Sequence, residues 1–273
     1  MEKEREHRLE EFKFEFKILS SIRGNNVVHF FGACLEPKPC LVMEFCSCGS
    51  LYDLLNDTKL EFKWTDVLRF AHEMTQAIDI LHNNIPQILH RDLKSMNFLV
   101  TKDWILKVSD FGLSRFNTVT NMSTLYELRG TMSYCAPETF QGKHYTTKGD
   151  IYSLGILFWE MMYRCVTCEY QRPYAEYSYL TQPLQIIVQT AQRGLRPTFP
   201  NADYAPFKSF VDLINCCWDP IPANRPDTKE ILERLNKCIL DLEANPGIWN
   251  AGILAQQPSS PRLLTPTESP QDK

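Results

Sequence analysis

His90-Arg91-Asp92-Leu93-Lys94-Ser95-Met96-Asn97 follows the apolar pair Ile88-Leu89, and thirteen residues after Asn97 comes Asp110-Phe111-Gly112. The second motif is itself preceded by a strand-like stretch, 104–108. A hairpin between the two motifs brings Asp92, Lys94, Asn97 and Asp110 to one rim. A base, a cation and two oxygen ligands for a hard divalent metal then face each other, which is the set of groups needed to position a hydroxyl, neutralise phosphate oxygens and hold Mg²⁺. Alone, Asp-Phe-Gly reads as a turn and His-Arg-Asp as a solvated loop. In this order and at this spacing they form one signature.

The flanking sequence supplies a frame for that rim. Residues 5–22 predict a helix, with Phe12, Phe16, Leu19 and Ile22 at helical spacing. Residues 27–34 and 40–45 are short, apolar and β-rich, joined by Glu36-Pro37-Lys38-Pro39, which predicts two strands and a Pro turn. Gly49 breaks the chain and Ser50 caps a short helix, 51–55. Helices are then expected over 65–82, 151–163, 184–192 (stopping before Gly194) and 207–218. A last helix starts at the capping spacing Asp227…Glu230. Pro246-Gly247 is expected to end it, and the Pro/Ser/Thr-rich remainder reads as a disordered tail in which Ser260, Thr265 and Ser269 precede prolines. No internal repeat is visible.

Composition bounds the alternatives. With 273 residues, 44% hydrophobic and 23% charged, the chain is of ordinary globular make-up, not collagenous, coiled-coil or wholly disordered. A net charge of −4 with no basic run gives no electrostatic case for nucleic acid. The charged start MEKEREHRLE is no secretory signal, and the best apolar run, Ile156-Leu157-Phe158-Trp159, stops at Glu160, so no membrane span and a cytoplasmic location are expected. The ten cysteines read as dispersed reduced thiols; Cys165-Val166-Thr167-Cys168 has no well-spaced partner pair for zinc.

The chain resembles eukaryotic protein kinases over residues 8–245. Ala136-Pro137-Glu138 is similar to the end of an activation segment, Asp150-Ile151-Tyr152-Ser153-Leu154-Gly155 to the start of the large lobe's central helix, and Asn224-Arg225-Pro226 to the late Arg motif. Phe31-Gly32-Ala33-Cys34, Gly49-Ser50-Leu51 and Arg129-Gly130-Thr131-Met132-Ser133-Tyr134 resemble the tyrosine-kinase-like group, kin to Raf and mixed-lineage kinases. The resemblance implies an α+β, bilobal protein-kinase-like fold. Residues 1–48 would form a partial small β lobe (one helix, two strands and the hinge), 49–245 a mostly helical large lobe, and 246–273 the tail. It implies ATP and Mg²⁺ as cofactors and proteins as substrates. Asp92 would accept or orient the substrate hydroxyl proton, Lys94 would stabilise charge on the transferred phosphate, and Asn97 and Asp110 would hold the metal. Met43 would be the gatekeeper, Glu44 and Cys46 would face the adenine edge through their backbones, and Leu99 would floor the adenine; Met43 and Leu99 would be apolar core in any fold. Glu138 would pair with Arg225, Asp150 would brace the catalytic loop, and Leu19, Phe30, His90 and Phe111 would stack between the first helix and the metal site.

Lys94 and Thr131 resemble Ser/Thr kinases, with Thr131 bridging Asp92 and Lys94; dual specificity stays open. In 113–129, Ser114, Thr118, Thr120, Ser123, Thr124 and Tyr126 are candidate phosphorylation sites, with Arg91 as a phosphate clamp or the segment as a merely polar loop. The family's G-x-G-x-x-G loop and strand Lys do not occur before residue 90, where the glycines are Gly24, Gly32 and Gly49. Glu15 matches the helix Glu that pairs with that Lys. The expectation is a small lobe lacking its first three strands, with weak or no activity as the isolated chain; the alternatives are a catalytically dead scaffold or allosteric binding module, and a chain completed by another polypeptide or an unrecognised ATP clamp.

Overall fold

The computed structural model describes residues 2–116, 132–140, 144–200, 205–251 and 253, with side chains from residue 9 onward. Helix α1 (Glu2–Ser21) is followed by strands β1 (Phe30–Cys34) and β2 (Cys40–Met43), which pair antiparallel from Cys34 opposite Cys40 to Phe30 opposite Met43. β1 starts later than the expected 27. Val27 bridges instead to Val108, and the Val28 N–H donates to the Val108 carbonyl, so this segment ties the β1–β2 hairpin to the loops beyond it. Leu19 and Ile22 of the predicted apolar stripe are buried, whereas Phe16 is 41% exposed and meets Phe30 edge-on at 5.8 Å. The two-stranded sheet is too narrow to cover both.

Ser50 caps α2 (Leu51–Asn56) in a reciprocal box: its hydroxyl accepts from the Asp53 N–H, and Asp53 accepts from the Ser50 N–H. Helix α3 (Trp64–His82) buries the stripe Leu68, Ala71, Met74, Ile78 and Leu81. The chain then runs through β3 (Ile88–Leu89), a 3₁₀ turn at Ser95–Asn97, β4 (Phe98–Val100), β5 (Leu106–Val108) and β6 (Arg115–Phe116), before the short α4 (Pro137–Phe140). β3 pairs with β6 and β4 with β5, both antiparallel.

Helix α5 (Thr147–Thr167) is the axis of the helical part: every residue from 149 to 162 is buried. A side chain at Gly155 would put Cβ 2.9 Å from Cys217 Cβ and 3.2 Å from the Trp218 backbone nitrogen, so glycine there lets the chain at 217–218 approach closely. α6 (Pro183–Arg193) ends on Gly194 at φ 63°, a left-handed cap that suits glycine. α7 (Lys208–Cys217) and α8 (Thr228–Ala244) complete the bundle, and Asp227 caps α8 through the Glu230 N–H. The tail boundary needs correction. Pro246–Ala251 forms a further helix, α9, whose fully buried Trp249 packs on Trp64 at 5.0 Å and donates its indole N–H to Asp241 at 2.9 Å. Pro at a first helical turn is compatible with starting a helix, and the gain from burying an indole orders this segment. Residues 254–273, with Ser260, Thr265 and Ser269, lie outside the described residues.

Candidate active site

The β4–β5 register sets Phe98 opposite Val108, and the pairing continues one step further: the Ser109 N–H and hydroxyl both donate to the Asn97 carbonyl, at 2.8 and 2.9 Å. Asp110 therefore emerges beside the loop that carries Asp92. Within that loop, Lys94 Nζ lies 2.6 Å from Asp92 Oδ2. The Asn97 amide nitrogen donates to the Asp92 carbonyl at 2.8 Å and to Oδ2 at 3.1 Å. With both amide protons directed at Asp92, the Asn97 Oδ1 is left as an acceptor. Asp110 is exposed, and its Oδ1 accepts the Gly112 N–H at 3.3 Å. Hard oxygen donors of this kind suit Mg²⁺, which keeps several waters and shares its shell with phosphates instead of filling a protein cage. Among the described residues no three His, Cys, Asp or Glu side chains converge as such a cage.

Two backbone positions mark the rim. Arg91 (φ 71°) and Asp110 (φ 61°) both sit in the left-handed region, where a side chain costs energy and tertiary contacts must hold it. For Arg91 the holding group is Asp150. Its two oxygens accept the His90 and Arg91 N–H groups, each at 3.0 Å, and also bond the His82 Nε2 at 2.9 Å and the Tyr145 hydroxyl at 2.8 Å. Burial alone pushes the Asp150 carboxyl up. The hydrogen bond from His82, the charges of His82 and His90 and the Arg91 N–H outweigh it and hold the carboxyl below its ordinary value. His90 is fully buried, which lowers its pKa against the opposing charges of Asp150, Asp92 and Asp110; all three carboxylates lie within electrostatic reach of one imidazole.

Leu19, Phe30, His90 and Phe111 are all buried, and the His90 and Phe111 rings meet at 5.3 Å. Glu15 of α1 lies near enough to Asp110 for that charge to add to burial in raising its pKa. The segment after β2 is stitched to β4 by the Cys48 N–H on the Val100 carbonyl, the Val100 N–H on the Gly49 carbonyl and a bridge between Ser50 and Leu99. Cys46, two residues before this stitching, is buried, while Met43 is 39% exposed. The Glu44 N–H donates to the His29 carbonyl, and its carboxylate holds Lys107 at 2.8 Å.

Arg225 grips Glu138 with two parallel bonds, 2.6 and 2.8 Å, both partners buried. Ser114 departs from expectation as a phosphorylation site: it is fully buried and donates to the His90 carbonyl at 3.2 Å. The Arg91 guanidinium lies over the Tyr145 ring at 5.9 Å. Thr118, Thr120, Ser123, Thr124, Tyr126 and Thr131 lie outside the described residues.

One cluster was not legible in advance. Glu160, the single carboxylate in the apolar run of α5, accepts hydroxyls from Ser95 (3.0 Å), Tyr134 (2.9 Å) and Tyr170 (2.8 Å). Burial raises its pKa to about 7 against the lowering effect of those three bonds. It fastens the Asp92 loop to Tyr134 from beneath. The available signal was a lone Glu in an apolar helix, which must find donors when buried. Above it opens a cavity of about 510 Å³ lined by Lys94, Met96, Tyr134, Tyr170 and Arg172. A larger groove of about 590 Å³, between α3, α8 and α9, contains none of the rim residues.

The fold and this site define a protein kinase domain, and the family profile of protein tyrosine and serine/threonine kinases matches residues 1–235; the chain belongs to that family. It is 50% identical over 242 residues to stress-activated protein kinase alpha of Dictyostelium discoideum, covering 89% of this chain and 38% of that protein. It is 41% identical over 252 residues to ankyrin repeat-containing protein kinase A of the same organism, covering 92% of this chain and 17% of that protein. With serine/threonine-protein kinase STY17 of Arabidopsis thaliana the identity is 38% over 235 residues, covering 86% of this chain and 38% of that protein. The chain thus spans well under half the length of these relatives. Protein kinases use ATP and Mg²⁺. Among the described residues no helix is long and apolar enough to cross a membrane.

Proposed function

We propose that this chain carries the catalytic loop of a serine/threonine protein kinase, of the tyrosine-kinase-like group, that transfers the ATP γ-phosphoryl group to protein hydroxyls. The observation that carries the reading is the bonded set of Asp92, Lys94 and Asn97 on the rim where Asp110 emerges. In this reading Asp92 orients the acceptor hydroxyl and takes its proton, and Lys94 moves its charge from Asp92 to the transferred phosphate. Asn97 Oδ1 and the Asp110 carboxylate would hold Mg²⁺, which would supply neutralisation of phosphate oxygens. The Glu44 carbonyl and Cys46 N–H receive the adenine edge beside Met43, with Leu99 below. The cavity beside Lys94 takes the acceptor segment, and Arg91 clamps a phosphate on the 113–129 segment. Names of the relatives that specify serine/threonine kinases support the acceptor class.

The test is phosphate transfer from labelled ATP to a serine/threonine peptide library by the full-length protein. Asp92→Asn should lower the rate by about 10²–10⁴, the worth of a positioned general base. Full activity in that variant would exclude the assignment. Calorimetry gives a second check: a full-length protein that leaves millimolar Mg-ATP unbound would exclude catalysis.

A further inference from the structure

Cys34 and Cys40 are direct cross-strand partners on the rung of the β1–β2 ladder next to its connecting turn. Residues opposite one another in an antiparallel pair project from the same face with Cα atoms roughly 4.5–5.5 Å apart, inside the range of about 4.4–6.8 Å that a disulfide spans. Both thiols are exposed, and Cys34 Sγ lies 2.7 Å from the Glu36 carbonyl in the connecting turn. The remaining cysteines offer no equal pair. Cys46, Cys165, Cys217 and Cys238 are buried, and burial raises each of their pKa values, which suppresses the reactive thiolate. Cys135 is pushed up to about 11 by burial. Cys168 is exposed, but its neighbour in the C-x-x-C is the buried Cys165, and the half-buried Cys48 and Cys216 have as nearest cysteines in sequence the buried Cys46 and Cys217.

We propose that Cys34 and Cys40 form a two-thiol modification site that a peroxide oxidant closes to a reversible disulfide. The thiolate of one cysteine attacks a peroxide oxygen and breaks the O–O bond, giving a sulfenic acid and, after protonation, water. The second thiol attacks the sulfenic sulfur, the S–S bond forms and a second water leaves. Two thiols and one hydrogen peroxide thus become one disulfide and two waters, with two electrons passing from sulfur to peroxide. The bond reinforces the turn end of a two-stranded ladder whose free end pairs Phe30 with Met43. A ladder of two strands has little stability of its own, so a tie on this rung restrains the turn and the rungs beside it.

The experiment treats the whole chain with hydrogen peroxide at low protein concentration, then alkylates it under denaturing conditions and weighs it. Wild type should lose two of its ten alkylatable thiols and the mass of two hydrogens, regain both with a dithiol reductant, and show slowed amide exchange across residues 30–43 in the oxidised form. Cys34→Ser and Cys40→Ser should each abolish the mass loss, while Cys168→Ser keeps it. Persistence of the loss in both hairpin variants, a bond mapped to Cys165–Cys168 or between two chains, or oxidation of Cys168 with the hairpin thiols still free would each overturn the proposal. Neither cysteine touches the rim, so amide exchange in residues 88–100 serves as a control for a folded protein.

Discussion

The β1–β2 hairpin and helix α5 treat their apolar side chains in opposite ways. Along the hairpin, Phe31 is 66% and Val42 50% exposed, and Phe45 just beyond it is 89% exposed, while α5 buries every side chain from 149 to 162. Phe30 alone among the β1 and β2 side chains is buried. The groups that hold the loop 90–97 side with the helix. Asp150 and Glu160 both project from α5, one holding the backbone at His90 and Arg91, the other the Ser95 hydroxyl. The difference teaches that the loop 90–97 is held by one buried helix, while the hairpin buries only Phe30 and the segment before it is tied by the Val28–Val108 bond.

This comparison can be broken most directly at the buried pair. Arg225→Ala strands Glu138 without its partner and should cost about 3–5 kcal/mol in urea unfolding. An effect under 1 kcal/mol would mean that the helical part does not depend on it. Trp249→Ala should cost a similar amount, about 3–5 kcal/mol, by opening a cavity against Trp64. A loss near zero would return 246–251 to the tail.

Glu160→Gln sharpens the account of α5 through pH. The folded pKa of about 7 lies above the ordinary value of 4.5. The group's favourable contribution is therefore complete below pH 4.5 and is lost as pH rises through 7. The variant should remove that decline from a stability–pH profile, and an unchanged slope would reject the burial argument. Ile156→Val, in the same helix, should cost about 0.5–1.5 kcal/mol. Val42→Ala, on the hairpin, should stay within about 0.5 kcal/mol; equal costs at these two positions would erase the contrast between the regions.

Much of this was legible along the chain because it is local. Helical periodicity located α3, a stretch apolar nearly all round located α5, Ser50 and Asp227 announced their caps, and the spacing of His90–Asn97 and Asp110–Gly112 indicated the hairpin that joins them. The misplaced boundaries have a common cause. Val27 and Val28 have strand character, but whether they extend β1 or cross to Val108 depends on a partner eighty residues away. Pro246-Gly247 carries a local stop signal that the burial of Trp249 overrides.

The order of residues determined which chemical groups the loops present, since spacing and capping act over a few residues. Only the packed chain decided that Glu160 meets Ser95, Tyr134 and Tyr170, that Asp150 holds two loop amides, and that Ser114 is enclosed. Those contacts join segments tens of residues apart, and the burial that makes each polar group require its partners exists only after the helices have closed around them.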